Sequence, residues 1–289
     1  MHMKKIAFIG TGVMGKSIVK HLLAKQYEVS IYTRTKEKAQ ELLTIGALWA
    51  PTPKAAAHDA DVIFTMVGYP QDVAQVVLGD EGVLQGAKEG AIIVEMTTSE
   101  PTLAKQLYKE AKQQGVAVLD APVSGGDLGA QNGTLSIMIG GDEAVFNQVQ
   151  PLLAVFCSTI VYQGMAGAGQ HAKMCNQIAI ASNMIGVCEA ISYAERAGLT
   201  IDTVLASIST GAAGSWSLSH LAPRMAQKDY EPGFYIKHMV KDLGIALQEA
   251  KQMNLTLPGL EMANEMYQKL VAQGYGDNGT QALIRLYEV

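Results

Sequence analysis

From Lys4 to Tyr162, short apolar runs alternate with longer stretches whose apolar positions recur at helical spacing. Lys4–Ile9 reads as a buried strand. Met14–Gln26 follows as a helix, with Ile18 and Leu22, and Val19 and Leu23, paired at i,i+4 on one face. Further strands are predicted at Glu28–Thr33, Asp61–Val67, Ala91–Met96, Val116–Leu119, Leu135–Ile139 and Thr159–Tyr162. Helices are predicted at Lys36–Ile45, Pro101–Gln114 and Glu143–Leu153. Short strands alternating with helices predict parallel β-α-β units and an α/β, doubly wound sheet.

After Gly164 the strand pattern stops. Gln170–Ala197 mixes Ala, Ile and Met without a proline, which predicts a long helix buried on most of its circumference. Helices follow at Ile201–Ser209, Ser217–Gln227, Ile236–Met253 and Gly259–Gln273. The boundary is placed at "YQGMAGAG", where Gly164, Gly167 and Gly169 read as a hinge. That gives an α/β domain over 1–164 and an all-α domain over 165–289, joined by the long helix. The stretch "LDAPVSGGDLGAQNGTLSIMIGG", Leu119–Gly141, opens as the end of one strand and closes as the start of another. Between them it is predicted to be bare, glycine-rich backbone at the mouth of the sheet.

Length agrees with two domains, since 289 residues exceed the usual single core. With 48% hydrophobic residues, 17% charged and a net charge of −5, the chain is an ordinary globule without a basic tract. That argues against a nucleic-acid groove or an anionic-membrane surface. The lysines near the start precede an apolar stretch, but Gly10, Gly12 and Gly15 break it before a secretory h-region develops. His2 and Met3 read as a tag remnant. No apolar run is long enough to span a bilayer. Cys157, Cys175 and Cys188 form no C-x-x-C pair and read as buried thiols in a reducing compartment, so a cytoplasmic location is expected. The histidines are scattered without metal-ligand spacing, and no metal is expected.

The first chemistry-bearing motif is "IAFIGTGVMG". Gly10, Gly12 and Gly15 follow a strand and open a helix, with Thr11, Val13 and Met14 between and beside them. Such glycines permit a tight turn, a close approach of backbone to pyrophosphate, and packing of helix on strand. At the end of the second strand an NAD-preferring site usually carries an acid on the ribose 2′-hydroxyl. Here Thr33 and Arg34 stand instead, followed by Thr35 and Lys36. Hydroxyls and a forked guanidinium suit a 2′-phosphate, so NADP(H) is the expected cofactor, with NAD(H) possible.

Read together, the motifs resemble those of the β-hydroxyacid dehydrogenases, the family of 3-hydroxyisobutyrate dehydrogenase and of the glyoxylate, succinic-semialdehyde and tartronate-semialdehyde reductases. "FIGTGVMG" is similar to the family's cofactor motif, and "DAPVSGGDLGAQNGTL" to its substrate motif. "GAGQHAKMCNQ" resembles the catalytic motif, and "KHMVKDLGIAL" the C-terminal motif that closes the cofactor site. The resemblance covers the whole chain and implies a Rossmann-type domain followed by a helical one. It implies that Ser124, Gly125 and Gly126 hold the substrate carboxylate with a hydroxyl and backbone N–H groups. It makes Lys173 the general acid/base, a role helped by a partly dry cleft, which lowers a lysine's pKa. Asn176 and Gln177 lie one turn on. The common family pattern is K-x-x-N-N, so the second amide is one methylene longer here. The resemblance further assigns Val67, Gly68, Thr98, Lys241 and Asp242 to the cofactor, and Trp216 to the substrate pocket. Phe234 reads as packing. The 6-phosphogluconate dehydrogenases, with a longer helical domain and K-x-x-H-N, and the imine reductases, with another residue at the lysine position, fit less well.

The resemblance thus implies an NAD(P)-dependent oxidoreductase interconverting a small 3-hydroxy acid and its semialdehyde. The alternatives are a glyoxylate or succinic-semialdehyde reductase, or a dinucleotide-sensing protein without catalysis, which would have no use for Lys173. The long apolar helix suggests a homodimer or homotetramer.

Overall fold

The computed structural model describes residues 5–288. Lys4 of the first predicted strand, and His2 and Met3 before it, lie outside the described residues. The chain divides into two compact units, Met1–Lys173 and Met174–Val289.

Among the described residues the first unit is built on a nine-stranded sheet. Its strands are β1 (Lys5–Ile9), β2 (Glu28–Tyr32), β3 (Leu48–Trp49), β4 (Val62–Thr65), β5 (Ile92–Glu95), β6 (Ala117–Asp120), β7 (Val123–Ser124), β8 (Leu135–Gly140) and β9 (Cys157–Gly164). The order is β3-β2-β1-β4-β5-β6-β8-β7, with β9 on β8. The first six run parallel, β8 runs antiparallel to β6 and β7, and β9 runs parallel to β8. Helices cover both faces, so the central strands are continuous apolar runs rather than alternating ones. Successive side chains still point to opposite faces. Ile6 and Phe8, Val62 and Phe64, and Ile92 and Val94 enter one core, while Ala7, Ile9, Ile63 and Ile93 enter the other.

The helix Val13–Ala24 seals the first core with Ile18, Val19 and Leu22. Lys36–Ile45 is shorter than predicted, a 3₁₀ turn at Lys36–Ala39 running into a helix at Gln40–Thr44. Pro70–Leu78, not predicted, is a helix with proline in its first turn and only Val73 and Val77 buried. The glycine-rich stretch after β7 is not bare loop: Gly126–Asn132 is helical, entered through Gly125 at φ +121° and closed by Gly133 in the left-handed region at φ +67°.

The second unit is helical. Ala168–Arg196, Ile201–Ile208, Ile236–Gln252 and Pro258–Ala272 follow the predicted segments within a few residues. Ser217–Gln227 instead splits into Trp216–His220 and Ala222–Ala226. Pro223 causes the break, because it has no N–H for the preceding turn and its ring crowds that turn's carbonyl. Cys157 and Cys188 are buried as expected, and burial pushes the Cys157 thiol up to about 12. Cys175 is exposed, contrary to expectation, because it lies on the open side of the long helix. Among the described residues no helix is long and apolar enough to cross a membrane.

Candidate active site

Parallel pairing sets Tyr32, Ile9, Thr65, Glu95 and Asp120 side by side across β2, β1, β4, β5 and β6. These strands therefore all end at one edge. The chain leaves that edge into Thr33, Gly10, Val67, Thr98 and Ser124, so the sequence-predicted residues of this unit gather along it.

The three glycines of the first turn have different reasons to be glycine. Gly10 sits at φ +101°, and a Cβ there would lie 2.1 Å from the Met66 carbonyl oxygen. At Gly15 a Cβ would stand 2.2 Å from the Gly10 carbonyl oxygen and 2.9 Å from the Phe8 ring, so this glycine lets helix meet strand. Gly12, the N-cap of that helix, differs: φ is −68° and a Cβ would meet nothing within 4 Å. Nothing inside the protein requires glycine there. Beside it Thr11 Oγ1 is buried without a hydrogen-bond partner. Open space beside bare backbone, an orphaned hydroxyl and the unpaired N–H groups of a helix start are what a pyrophosphate needs. Val13 is exposed and Met14 packs on the core below.

Thr33 is half-buried, and Arg34 reaches into solvent with its guanidinium 3.7 Å from Asp72 Oδ1. Asp72 in turn accepts the Tyr69 N–H at 3.1 Å, which ties down the start of Pro70–Leu78. Lys36 lies 4.5 Å over the Trp49 ring. The Val67 N–H donates to Thr97 Oγ1 at 2.9 Å, joining the loop after β4 to the loop after β5. Gly68 and Thr98 are half-buried on those two loops. Ser124, in β7, is half-buried beside exposed Gly125 and half-buried Gly126.

Lys173 is 7% exposed, in the second turn of the long helix Ala168–Arg196. The run before it, which reads as a hinge, is pinned to the sheet. Asp120 Oδ1 accepts the Gly167 N–H at 2.7 Å, and Oδ2 accepts the Gln170 N–H at 2.9 Å. Burial raises the Asp120 carboxyl above its ordinary pKa, against the pull of these backbone N–H bonds. At Gly169 a Cβ would lie 2.5 Å from the backbone oxygens of Asp120 and Met138, so glycine there serves close packing. Asp120, Glu95 and Gln170 were not singled out from the sequence. Each is polar and at most 2% exposed, and the only sequence signal was their place inside or beside the motifs.

In the helical unit Gln177 and Asp242 are each 1% exposed. Gln177 Nε2 donates to Asp242 Oδ2 at 2.5 Å, and Gln177 Oε1 accepts from Asn176 Nδ2 at 2.7 Å. Lys241 Nζ forms an ion pair with Asp242 Oδ1 at 3.0 Å. The structure thus brings Asn176, Gln177, Lys241 and Asp242 together. The Gln177 amide is engaged at both ends, by Asp242 and by Asn176. Trp216 is 60% exposed and stacked on His220 at 4.7 Å between centroids, which excludes a core role. Phe234 packs on the core of this unit. His238 sits below its ordinary pKa, first through burial and then through the Lys241 charge.

Two family models match this chain. Residues 5–164 match the family model described as the NAD binding domain of 6-phosphogluconate dehydrogenase. Residues 167–287 match that of NAD-binding of NADP-dependent 3-hydroxyisobutyrate dehydrogenase. An uncharacterized oxidoreductase of Bacillus subtilis, YkwC, is 56% identical over 98% of this chain and 99% of its own length. A probable 3-hydroxyisobutyrate dehydrogenase-like 1 protein, mitochondrial, of Arabidopsis thaliana is 48% identical over 98% of this chain and 85% of its own. A solved structure of Mycobacterium tuberculosis 3-hydroxyisobutyrate dehydrogenase with L-serine superposes at a TM-score of 0.91. It is 30% identical and covers 99% of this chain and all of that one.

Proposed function

The chain belongs to the β-hydroxyacid dehydrogenase family, NAD(P)-dependent oxidoreductases of the 3-hydroxyisobutyrate dehydrogenase type, and from that premise we propose its reaction and the residues that perform it. It interconverts a small 3-hydroxy acid and its semialdehyde, with Lys173 as general acid/base and NADP(H) as the preferred cofactor. The observation that carries the reading is Lys173 itself. A buried ammonium is costly, and this one sits just beyond a helix start bonded to the strand edge that gathers Gly10, Val67 and Thr98.

Gly10, Thr11, Gly12, Val13, Met14 and Gly15 would hold the pyrophosphate, and Thr33 with Arg34 the 2′-phosphate. Val67 and Gly68 would lie on the loop over the cofactor and Thr98 beside its nicotinamide; the family motif assigns Lys241 and Asp242 to the cofactor and Trp216 to the substrate. A bound nicotinamide dinucleotide supplies the hydride. In reduction Lys173 gives a proton to the carbonyl oxygen, and in oxidation it takes the proton from the hydroxyl. Ser124, Gly125 and Gly126 orient the substrate by its carboxylate, through one hydroxyl and backbone N–H groups that no side chain shields. Asn176 and Gln177 fix polar geometry on the next turn of the helix.

Steady-state kinetics tests this across glyoxylate and the succinic, tartronate and methylmalonate semialdehydes, each with NADPH and NADH. A carboxylate-bearing aldehyde should have the highest kcat/KM, and NADPH should exceed NADH. Equal turnover of an uncharged aldehyde of the same size would contradict the carboxylate assignment.

A further inference from the structure

Gln170 is fully buried at the start of the helix that carries Lys173. Its Oε1 accepts the Ser99 N–H at 2.9 Å, while its Nε2 donates to the Thr97 carbonyl at 2.7 Å and lies 3.4 Å from Glu95 Oε2. One amide thus bonds the backbone on both sides of Thr98. Behind it, Asp120 holds the Gly167 and Gln170 N–H groups, and Gly169 sits against the strand backbone with no room for a Cβ. The helix start therefore has little freedom to slide or tilt relative to the loop 97–99.

We propose that Gln170 is a positioning residue: it fixes where Lys173 stands relative to Thr98. The inference rests on the reading of Lys173 as proton donor. One helical turn separates the two side chains, a rise of ~4.5 Å along a rigid element. A displacement of the helix backbone at Gln170 is therefore carried along the helix to the lysine. The chemistry demands glutamine. The Ser99 N–H needs an acceptor and the Thr97 carbonyl needs a donor, and a side-chain amide offers both on one planar head. These partners also settle which end of the amide is oxygen. An apolar side chain of equal length would leave both backbone groups buried and unpaired. A carboxylate would place a lone pair against the Thr97 carbonyl and a charge beside Glu95.

The test is a double-mutant cycle on the full chain with Gln170→Met and Lys173→Ala, read by kcat, by NADPH affinity and by amide hydrogen exchange at Ser99. Misplacing a catalytic group by about an ångström costs on the order of 10²-fold. Gln170→Met should accordingly lower kcat ~10–100-fold. Its substrate KM should stay within about threefold of wild type, any loss of NADPH affinity through Thr98 should stay well below the loss of kcat, and Ser99 should exchange faster. In the Lys173→Ala background the same substitution should cost under about twofold, because the group it positions is gone. An equal loss in both backgrounds, or an unchanged kcat with Ser99 exchange accelerated, overturns the proposal. Should Lys173→Ala itself leave kcat untouched, the proton-donor reading falls and this inference with it. If Gln170→Met does not fold, Gln170→Glu keeps the shape and donates to Thr97 only when protonated. Its kcat relative to wild type should rise as pH falls; a flat ratio overturns the positioning role.

Discussion

Replacing each glycine of the first turn by alanine separates fold from binding. At Gly12 the new methyl meets open space at an ordinary φ of −68°. Two small effects then oppose each other. Alanine is a poorer N-cap than glycine by roughly 0.5–1 kcal/mol. It also restricts the unfolded chain, which stabilises by roughly 0.4–1 kcal/mol. The sum lies near zero, so Gly12→Ala should melt within ~3 °C of wild type, at roughly 2–4 °C per kcal/mol. The methyl nevertheless stands where the pyrophosphate approaches the backbone, and affinity for NADPH should fall by about 100-fold, some 2.7 kcal/mol. Gly15→Ala is the contrast. Its methyl would lie 2.2 Å from the Gly10 carbonyl oxygen, so backbone must move. Overpacking of this kind costs ~2–3 kcal/mol, or roughly 5–10 °C in Tm. Thermal melts and NADPH fluorescence titrations on both variants read the two effects separately. A Gly12→Ala protein that binds NADPH like wild type, or melts as low as Gly15→Ala, would refute the assignment of this turn to the phosphates.

Arg34→Ala should raise KM for NADPH by ~10–100-fold, the worth of a charge-assisted bond, and leave KM for NADH nearly unchanged; equal loss with both cofactors would remove Arg34 from the 2′-phosphate. Ser124→Ala deletes one donor to the substrate carboxylate and should raise substrate KM ~2–10-fold with NADPH affinity intact; an unchanged KM would place the carboxylate elsewhere. His238 is held below its ordinary pKa, so the unfolded chain protonates first and stability is lost as pH falls through ~6.5, levelling off below the folded pKa. Denaturant titrations at pH 7.5 and 5.5 should show less acid loss in His238→Gln than in wild type, and the same loss in both would count against this histidine.

What could be read in the sequence followed from burial that leaves a local mark. Ile6–Ile9 and Val62–Phe64 lie inside a parallel sheet covered on both faces, so they stand out as unbroken apolar runs. Gly10-x-Gly12-x-x-Gly15 was visible because its glycines are close in sequence and each has its own steric or ligand-side reason. The helix Gly126–Asn132 left no such mark. It buries only Gly129 and Ala130, and a positive φ at Gly125 rather than an apolar period starts it. The anchor under Lys173 was hidden for another reason. Ser99 and Gln170 are 71 residues apart, and Asp120 and Gln170 are 50 apart, so no window along the chain contains the network. The extra methylene of Gln177 was visible as a departure from K-x-x-N-N. That the Gln177 amide meets Asp242 required the packing of a second helix, Ile236–Gln252.

The central claim is that Lys173 moves the proton, and substituting it is the most direct test. General acid catalysis contributes ~10²–10⁴-fold, so Lys173→Ala should lower kcat by about that factor while NADPH affinity and Tm stay close to wild type. Lys173→Arg should rescue little, because a guanidinium keeps its proton at any working pH. The measurement is kcat with a carboxylate-bearing semialdehyde and deuterated NADPH, whose isotope effect shows that hydride transfer limits the rate. A Lys173→Ala enzyme with wild-type kcat under that condition would contradict the account.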